Sequence, residues 1–128
     1  MDIRTHLQID QDLCGRPKAL QPGFCRVSFT ATGRMAADDK GLVHGGFVFG
    51  LADYAAMLAV NDPHVVIGAA RVTFLTPASV GDTLVAEARV KDVKDRKHTV
   101  DVTVTRDDVA LLEGQLTCFV LDRHVLDA

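Results

Sequence analysis

The sequence has few of the residues that usually carry covalent catalysis. Its 128 residues include only two serines, Ser28 and Ser79, and neither lies in a Gly-x-Ser-x-Gly turn or beside a histidine. The three cysteines, Cys14, Cys25 and Cys118, are widely spaced and form no Cys-x-x-Cys pair. They fall in predicted strands or near the N-terminus, where we expect buried, reduced thiols. A serine or cysteine nucleophile is therefore not indicated.

Other common types of site are also missing from the pattern. The five histidines are scattered, with no His-x-x-x-His or Cys/His grouping, so we expect no metal site. The glycines follow no phosphate-loop or dinucleotide fingerprint. A formal net charge of −3 and a pI near 5.9 provide no basic surface for nucleic acid.

The chain is predicted to be a cytoplasmic protein with one domain over residues 1–128. Its start lacks the basic and apolar segments of a secretory signal. The longest apolar stretch, residues 41–61, contains one formally charged residue, Asp53, near its middle. A carboxylate there would cost about 2.5–3.5 kcal/mol at the centre of a membrane span. We therefore interpret the stretch as a buried helix and expect no membrane partner.

Most of the remaining chain alternates between apolar and polar residues, as strands do. Strands are predicted over 16–21, 24–31, 65–76, 83–91, 99–105 and 109–121, and a short helix near 2–8. Segments 78–82 and 92–97 have the length of hairpin loops, so the four strands after the apolar helix are expected to form an antiparallel meander.

The helix predicted over about 45–60 is apolar on every side and must be buried on every side. A sheet that curls around it, together with a second subunit, would achieve this. Asp53 lies too far from the helix start to be a cap. It is either bonded to strand amides or to an arginine such as Arg71, or it is a functional carboxylate whose burial raises its pKa.

The helix opens with His44-Gly45-Gly46. The first amide N–H groups of a helix have no intrahelical acceptor, and they suit a developing oxyanion. The alternative is that the glycines permit close helix–strand packing. Gly45 and Asp53 are eight residues apart, or about 12 Å along a helix, so one reacting carbonyl cannot contact both. If both serve one site, they come from two subunits related by a two-fold axis.

Two strings of the sequence resemble a known family. The string Gly41–Ala56, with His44-Gly45-Gly46 and then Asp53 nine residues after the histidine, resembles the hotdog-fold acyl-CoA thioesterases. It is most similar to the phenylacetate-degradation and 4-hydroxybenzoyl-CoA (Arthrobacter-type) branch. The later string Phe74–Ala86 matches a strand–turn–strand segment of the same family.

The resemblance implies an α+β hotdog fold, in which an antiparallel sheet of five to six strands wraps around one long central helix. It also implies homodimers, often paired into homotetramers, and hydrolysis of acyl-CoA thioesters with no cofactor, since coenzyme A is part of the substrate. By position, Gly45 would offer its N–H to the thioester carbonyl. Asp53 of the other subunit would activate water or attack the carbonyl directly.

Further substrate-binding residues follow from the same resemblance. His44 and Gly46 flank the carbonyl site. Phe47 and Met57, with Phe49 and Tyr54, are candidates for an acyl pocket, although such residues are often core. Arg96 and Lys97, in the basic segment 94–98, are candidates for the phosphates of coenzyme A, the alternative being a solvated loop.

The sequence departs from the family pattern at two places. Many relatives have Asn six residues before the histidine, where this chain has Asp38. An ionised carboxylate there would repel an oxyanion, so Asp38 must be protonated, turned away or bonded elsewhere. Some relatives have Ser or Thr on the following strand, where this chain has Ile67, Gly68 or Ala69. The change at Asp38 therefore keeps a non-catalytic acyl-CoA-binding or regulatory protein as an alternative to a thioesterase. A hotdog dehydratase or hydratase is a further alternative on the same fold, but the motifs around its His–acid dyad are absent here.

Overall fold

The computed structural model describes residues 1–127 and contains one antiparallel sheet and one long helix. The two α-helices are α1 (Gln11–Cys14) and α2 (Gly45–Val60). The six strands are β1 (Arg16–Gln21), β2 (Phe24–Thr30), β3 (Val65–Phe74), β4 (Thr83–Lys94), β5 (Lys97–Arg106) and β6 (Val109–Val120). The predicted α+β class is confirmed, and the bounds of β1 and α2 match the prediction.

The sheet wraps around α2 because one face of each central strand is apolar. Alternate residues of β2, β4, β5 and β6 point inward and are almost fully buried, as Val27, Leu84, Val102 and Leu116 show. They pack against Leu51, Ala55 and Leu58 of α2, which are equally buried. This burial of aliphatic surface, at roughly 25 cal/mol per Å², stabilises the sheet and the helix together.

The strand order is β1-β2-β4-β5-β6-β3, so the predicted meander holds only for β4, β5 and β6. The prediction was wrong for β3, which pairs with β6 at the sheet edge rather than with β4. Segment 78–82 is accordingly not a hairpin loop. It crosses from one edge of the sheet towards β2 and bonds to the segment before α2, through a bridge between Leu42 and Ser79.

The β4–β5 connection is shorter than predicted. Both strands continue through the segment 92–97, and only Asp95 and Arg96 form the turn. Asp95 adopts a left-handed φ of 56°, which a two-residue turn between twisted strands favours. A register shift between Val90 and Asp92 lets the strands extend past the point where the apolar alternation ends.

No helix forms at residues 2–8, contrary to the prediction. The backbone of this segment bonds to the C-terminal end of α2 instead: Arg4 N donates to Asn61 Oδ1, and Asn61 Nδ2 donates to Asp2 O, each at 2.8 Å. The short helix α1 begins later, where the Asp10 side chain accepts from Asp12 N at 2.9 Å. It ends at Gly15, whose φ is 104°.

The helix α2 is buried on most sides but not on all. Its buried residues are Val48, Leu51, Ala52, Tyr54, Ala55, Ala56, Met57, Leu58 and Ala59. Gly46 is exposed, and Phe49, Gly50 and Asp53 are only partly covered. These four positions follow helical spacing and form one open stripe along α2. Among residues 1–127, no helix is long and apolar enough to cross a membrane.

Candidate active site

The first turn of α2 presents two backbone N–H groups without acceptors. His44 precedes the helix in an extended conformation, and its side chain makes no capping hydrogen bond. The N–H groups of Gly45 and Gly46 donate to no acceptor within residues 1–127. Since the positive end of the helix dipole lies at this turn, it suits a partial or full negative charge.

Neighbouring segments hold this turn in place without using those two N–H groups. His44 N donates to Met35 O, and Val43 N donates to Ala78 O, both at 2.9 Å. Met35 and Val43 are buried in the core, so the backbone before Gly45 is anchored by packing as well. The turn is therefore preorganised, which an oxyanion-binding site requires.

The Asp38 carboxylate is bonded elsewhere, which is one of the three states expected for it. Its Oδ1 accepts the N–H groups of Lys40 at 3.0 Å and Leu42 at 3.1 Å. These bonds shape the exposed loop that leads to α2. Asp38 consequently stabilises the loop, and its negative charge is partly satisfied by the amides of the loop itself.

An apolar cavity of about 300 Å³ adjoins the start of α2. Its lining residues are Leu42, Val43, Gly45, Val48, Phe74, Leu75, Thr76, Pro77 and Ala78. The Phe74 ring lies 3.5 Å from the point that a Cβ of Gly45 would occupy. No charged side chain lines the cavity, so it suits an uncharged apolar group.

Phe74, Leu75 and Thr76 were not predicted as site residues. In the sequence, Phe74 and Leu75 are an apolar pair at the end of a predicted strand, and Thr76 and Pro77 follow them. The same pattern is found at the ends of ordinary strands, so it did not indicate a binding site. In the structure Phe74 is 55% exposed and Leu75 is 47% exposed, although both belong to an apolar cavity. Exposed apolar groups that line a concavity are typical of a binding surface.

Asp53 lies on the open stripe and is partly buried. Burial raises the pKa of its carboxyl above the ordinary value. Among residues 1–127, none of the four ion pairs includes Asp53 or Arg71, so the arginine partner considered for Asp53 is not the reason for its position. A carboxylate placed in this way is typical of functional sites.

Two thiols lie near Asp53 and are kept protonated. Burial, followed by the charge of Asp53, raises the pKa of Cys118 to about 12. Burial, Asp10 and Asp53 raise the pKa of Cys14. Because the thiolate is the nucleophilic form, these cysteines are unsuited to attack at neutral pH. Cys118 is buried as expected, whereas Cys14 is only partly buried.

Gly45 and Asp53 do not meet within one protomer, because both belong to the helix α2 and lie about 12 Å apart along it.

Gly50 lies between them on the open stripe, and a Cβ built there would meet nothing within 4 Å. A glycine inside a helix costs about 1 kcal/mol relative to alanine. No contact within the protomer explains why residue 50 is a glycine, since a larger side chain would fit there.

The predicted acyl-pocket residues lie in different environments. Met57 and Tyr54 are 1% and 2% exposed and belong to the core. Phe47 and Phe49 are partly buried and pack against the core. The exposed His44 ring packs over Gly46, 3.1 Å from the point that a Cβ would occupy, and lies edge-on to Phe47. None of the four aromatic or methionine side chains lines the cavity beside Gly45.

Arg96 and Lys97 lie at the opposite end of the sheet from Gly45 of the same protomer. Val120 N donates to Arg96 O, and Val120 pairs with Val65 at the start of β3, whereas Gly45 lies beside the end of β3. The ten residues of β3 span roughly 30 Å. The Arg96 guanidinium forms an ion pair with Asp122.

The strand residues aligned with the Ser or Thr of some relatives, which are Ile67, Gly68 and Ala69, carry no hydroxyl. A register shift in β3 separates Ile67 from Ala69, and a Cβ at Gly68 would meet the Phe119 ring at 2.4 Å. The hydroxyl of Thr76 is the one that lines the cavity beside Gly45.

Comparison with known proteins reveals relatives of this chain. The model of the thioesterase superfamily matches residues 40–113, which include the start of α2, Asp53 and the strand–turn–strand segment. Acyl-coenzyme A thioesterase PaaI of Escherichia coli is 30% identical over 121 residues, covering 87% of this chain and 86% of that protein. The resemblance predicted from the two strings is confirmed.

Two other similar proteins share more of the sequence. A protein of Aquifex aeolicus named methylthioribose-1-phosphate isomerase is 48% identical over 123 residues, which cover 95% of this chain. The chain spans only 27% of the length of that relative. The crystal structure of PH1136 from Pyrococcus horikoshii is 48% identical, with a TM-score of 0.98, and the match covers 99% of this chain and 98% of that one.

Proposed function

This chain belongs to the thioesterase superfamily, and we propose that it hydrolyses acyl-CoA thioesters to a free acid and coenzyme A. The observation that carries the proposal is the pair of unbonded N–H groups at Gly45 and Gly46, which lies beside an uncharged apolar cavity. The similarity to acyl-coenzyme A thioesterase PaaI supports the same substrate class.

The start of α2 would polarise the thioester carbonyl. The carbonyl oxygen accepts from Gly45 N–H, and Gly46 N–H is available to the same charge as it develops. Because these donors are already oriented, little reorganisation accompanies the formation of the tetrahedral oxyanion. A thioester is already an activated acyl group, so neither a metal nor a serine is needed.

Asp53 would supply the base or the nucleophile. As a base, its carboxylate accepts a proton from water while the water oxygen bonds to the carbonyl carbon. The oxyanion then collapses, the carbon–sulfur bond breaks, and the departing thiolate takes the proton from Asp53. As a nucleophile, Asp53 would form an anhydride that water then hydrolyses to the same two products.

The site would be shared between two subunits of a homodimer. A two-fold axis midway between Gly45 and Asp53 would pass close to Phe49 and Gly50, and antiparallel α2 helices that cross there would place Gly45 of one subunit near Asp53 of the other. The open space above Gly50 supports such a crossing, because a missing side chain lets two backbones approach closely.

The same two-fold axis accounts for the distant position of Arg96 and Lys97. It brings this turn of one subunit to the end of the dimer that contains Gly45 of the other. Within the proposed function, the turn contacts the phosphates of coenzyme A. The cavity lined by Phe74 and Val48 takes an uncharged apolar acyl group.

The test is the release of free thiol from a panel of acyl-CoAs. Under this proposal at least one uncharged acyl-CoA is hydrolysed, and Asp53→Asn lowers kcat by at least about 100-fold while the protein stays folded. Turnover by Asp53→Asn at the wild-type rate would remove Asp53 from the mechanism. Binding of acyl-CoA without turnover across the panel would favour the non-catalytic alternative.

Mixed dimers test whether the site is shared. One subunit carries Asp53→Asn and the other carries Gly45→Pro, which lacks the N–H. If the site is shared, each mixed dimer contains one intact site, and random mixing restores about one quarter of the wild-type activity. If both residues act within one protomer, mixing restores nothing.

A further inference from the structure

Three of the five histidines, scattered in the sequence, line one cavity of about 260 Å³. The cavity lies between the N-terminal segment, the segment after α2 and the segment after β6. Its lining residues are Thr5, His6, Pro63, His64, Val65, Val66, His124 and Val125. It is beyond the C-terminal end of α2, whereas Gly45 lies at the N-terminal end, about 24 Å away along the helix.

The ring of His64 has a defined orientation and proton position. Its Nδ1 lies 3.2 Å from the carbonyl oxygen of Leu121, and because a carbonyl only accepts, Nδ1 carries a hydrogen. The backbone of His64 is held as well: its N–H donates to Asp62 Oδ1, and its carbonyl accepts from Leu121 N. Nε2 is therefore the remaining polar atom of the ring.

The other two rings are also held through Nδ1. His124 Nδ1 accepts the N–H of Leu126 at 3.0 Å, so the hydrogen of the neutral ring is on Nε2. His6 Nδ1 lies 2.8 Å from the hydroxyl of Thr5, whose residue is 5% exposed. In all three rings, the hydrogen bond to the protein is made by Nδ1, and Nε2 is left without a protein partner within residues 1–127.

We propose that this cavity binds a small organic carboxylate with an apolar body, together with one proton. His64 can take a proton on Nε2 without losing its bond to Leu121, and it then offers an N–H and a positive charge. His124 already offers a second N–H. Two N–H donors and one positive charge match a carboxylate, while Pro63 and the valines cover the apolar part of the ligand.

The surrounding charges are compatible with this ligand. The charged residues of the three segments are Asp2, Arg4, Asp62, Asp122, Arg123 and Asp127, and none of them lines the cavity. Asp62 accepts from the backbone of His64, and Asp122 is paired with Arg96. Burial lowers the pKa of His6 and so favours its neutral form. His6 therefore does not place a second positive charge next to a protonated His64.

A metal ion fits the same residues less well. A metal bound at Nε2 requires a lone pair there, but the bond from Leu126 places the hydrogen of neutral His124 on Nε2. Within residues 1–127, no group of three or more His, Cys, Asp or Glu side chains is positioned to hold a metal ion.

Calorimetry with benzoate and its neutral analogue benzamide tests the proposal. We expect benzoate to bind the full protein at about pH 6, and at about pH 7 its binding should be accompanied by a net uptake of protons, measured from the dependence of the binding enthalpy on the ionisation enthalpy of the buffer. Its Kd should rise as the pH is raised to about 8, and benzamide should bind at least about 10-fold more weakly. Equal binding of the two compounds, tighter binding of phosphate or zinc, or no binding at millimolar benzoate would overturn the proposal.

Variants assign the binding to this cavity. His64→Gln and His124→Gln should each weaken benzoate binding at least about 10-fold, whereas His98→Gln, outside the cavity, should not. Asp53→Asn should also leave it unchanged, because this site does not depend on the proposed activity. If a histidine variant does not fold, ¹⁵N NMR spectra of the histidine side chains of the wild-type protein provide the test instead. The chemical shift of His64 Nε2 must then change when benzoate is added. Unchanged spectra or unaffected variants would contradict the assignment.

Discussion

The two ends of α2 differ in how their backbone groups are satisfied. At the N-terminal end, His44 makes no capping bond, and the N–H groups of Gly45 and Gly46 have no acceptor within residues 1–127. At the C-terminal end, Asn61 adopts a left-handed conformation, its N–H donates to Met57 O, and its side chain binds the N-terminal segment through Asp2 and Arg4.

This difference separates stability from function along one helix. A terminus that is closed by hydrogen bonds within the chain, as Asn61 closes the C-terminal end of α2, contributes to folding. A terminus whose donors are held in place but left unpaired is less stable than it would be with a cap, by about 1 kcal/mol. Those donors are available to a substrate oxygen. The two ends should therefore respond to substitution in opposite ways.

The largest expected effect is that of Gly45→Pro. Proline is well tolerated at the first position of a helix, and the extended His44 before it is compatible, but the N–H is lost. We expect kcat on a hydrolysed acyl-CoA to fall by about 10²–10³, with little change in Tm. Gly45→Ala is the matched control, since it keeps the N–H and its Cβ would lie 3.5 Å from Phe74, an ordinary contact. Equal losses in both variants would show that the N–H is not the cause.

At the other end, Asn61→Ala should affect stability and leave turnover intact. The substitution removes two hydrogen bonds and places alanine at a φ of 55°, so we expect the free energy of unfolding to fall by about 2 kcal/mol. Asn61→Gly, which tolerates this φ, should lose less. Denaturant unfolding and kcat per folded molecule measure the two responses. If Asn61→Ala lowered kcat as much as Gly45→Pro does, the two ends of α2 would not differ in their roles.

The smallest expected effect on stability is that of Asp53, which lies between the two ends. Its pKa is raised by burial, so ionisation of Asp53 destabilises the folded state as the pH rises from the unfolded value of about 3.9 through the raised one. Wild type should therefore melt a few degrees below Asp53→Asn at neutral pH and equal it in acid.

The activity of the wild type should show the opposite trend, rising with pH through the same range because the ionised carboxylate is the reactive form. Thermal melts and kcat/KM across pH measure the two trends. A Tm difference that does not vary with pH would contradict the burial of Asp53 as the cause.

Several features could be predicted because they depend on local pattern. The bounds of α2 followed from its continuous apolar run, and β2 followed from the alternation of apolar and polar residues. The unpaired amide N–H groups in the first turn of α2 and the separation of Gly45 from Asp53 followed from helix geometry. The helix predicted near 2–8 was wrong because the competing partner, Asn61, lies far away in the sequence.

The position of β3 also could not be predicted locally. A connection of eight residues, 75–82, normally joins neighbouring strands, but here it crosses from β3 at one edge of the sheet to β4, which β5 and β6 separate from β3 in the sheet order, and bonds to Val43 and Leu42. Phe74 and Thr76 come to line the cavity beside Gly45 only because of that crossing. The three-histidine cavity likewise joins segments that have no relation in the sequence.

The fold class, the family and the central helix with its unusual carboxylate could all be predicted from the sequence, since they depend on spacing and composition along one stretch of chain. The tertiary structure decided the strand order, the apolar cavity beside Gly45, the bonding of Asp38 and the meeting of His6, His64 and His124. These depend on which distant backbone donors and acceptors find each other when the apolar surface is buried, and no local pattern encodes that choice.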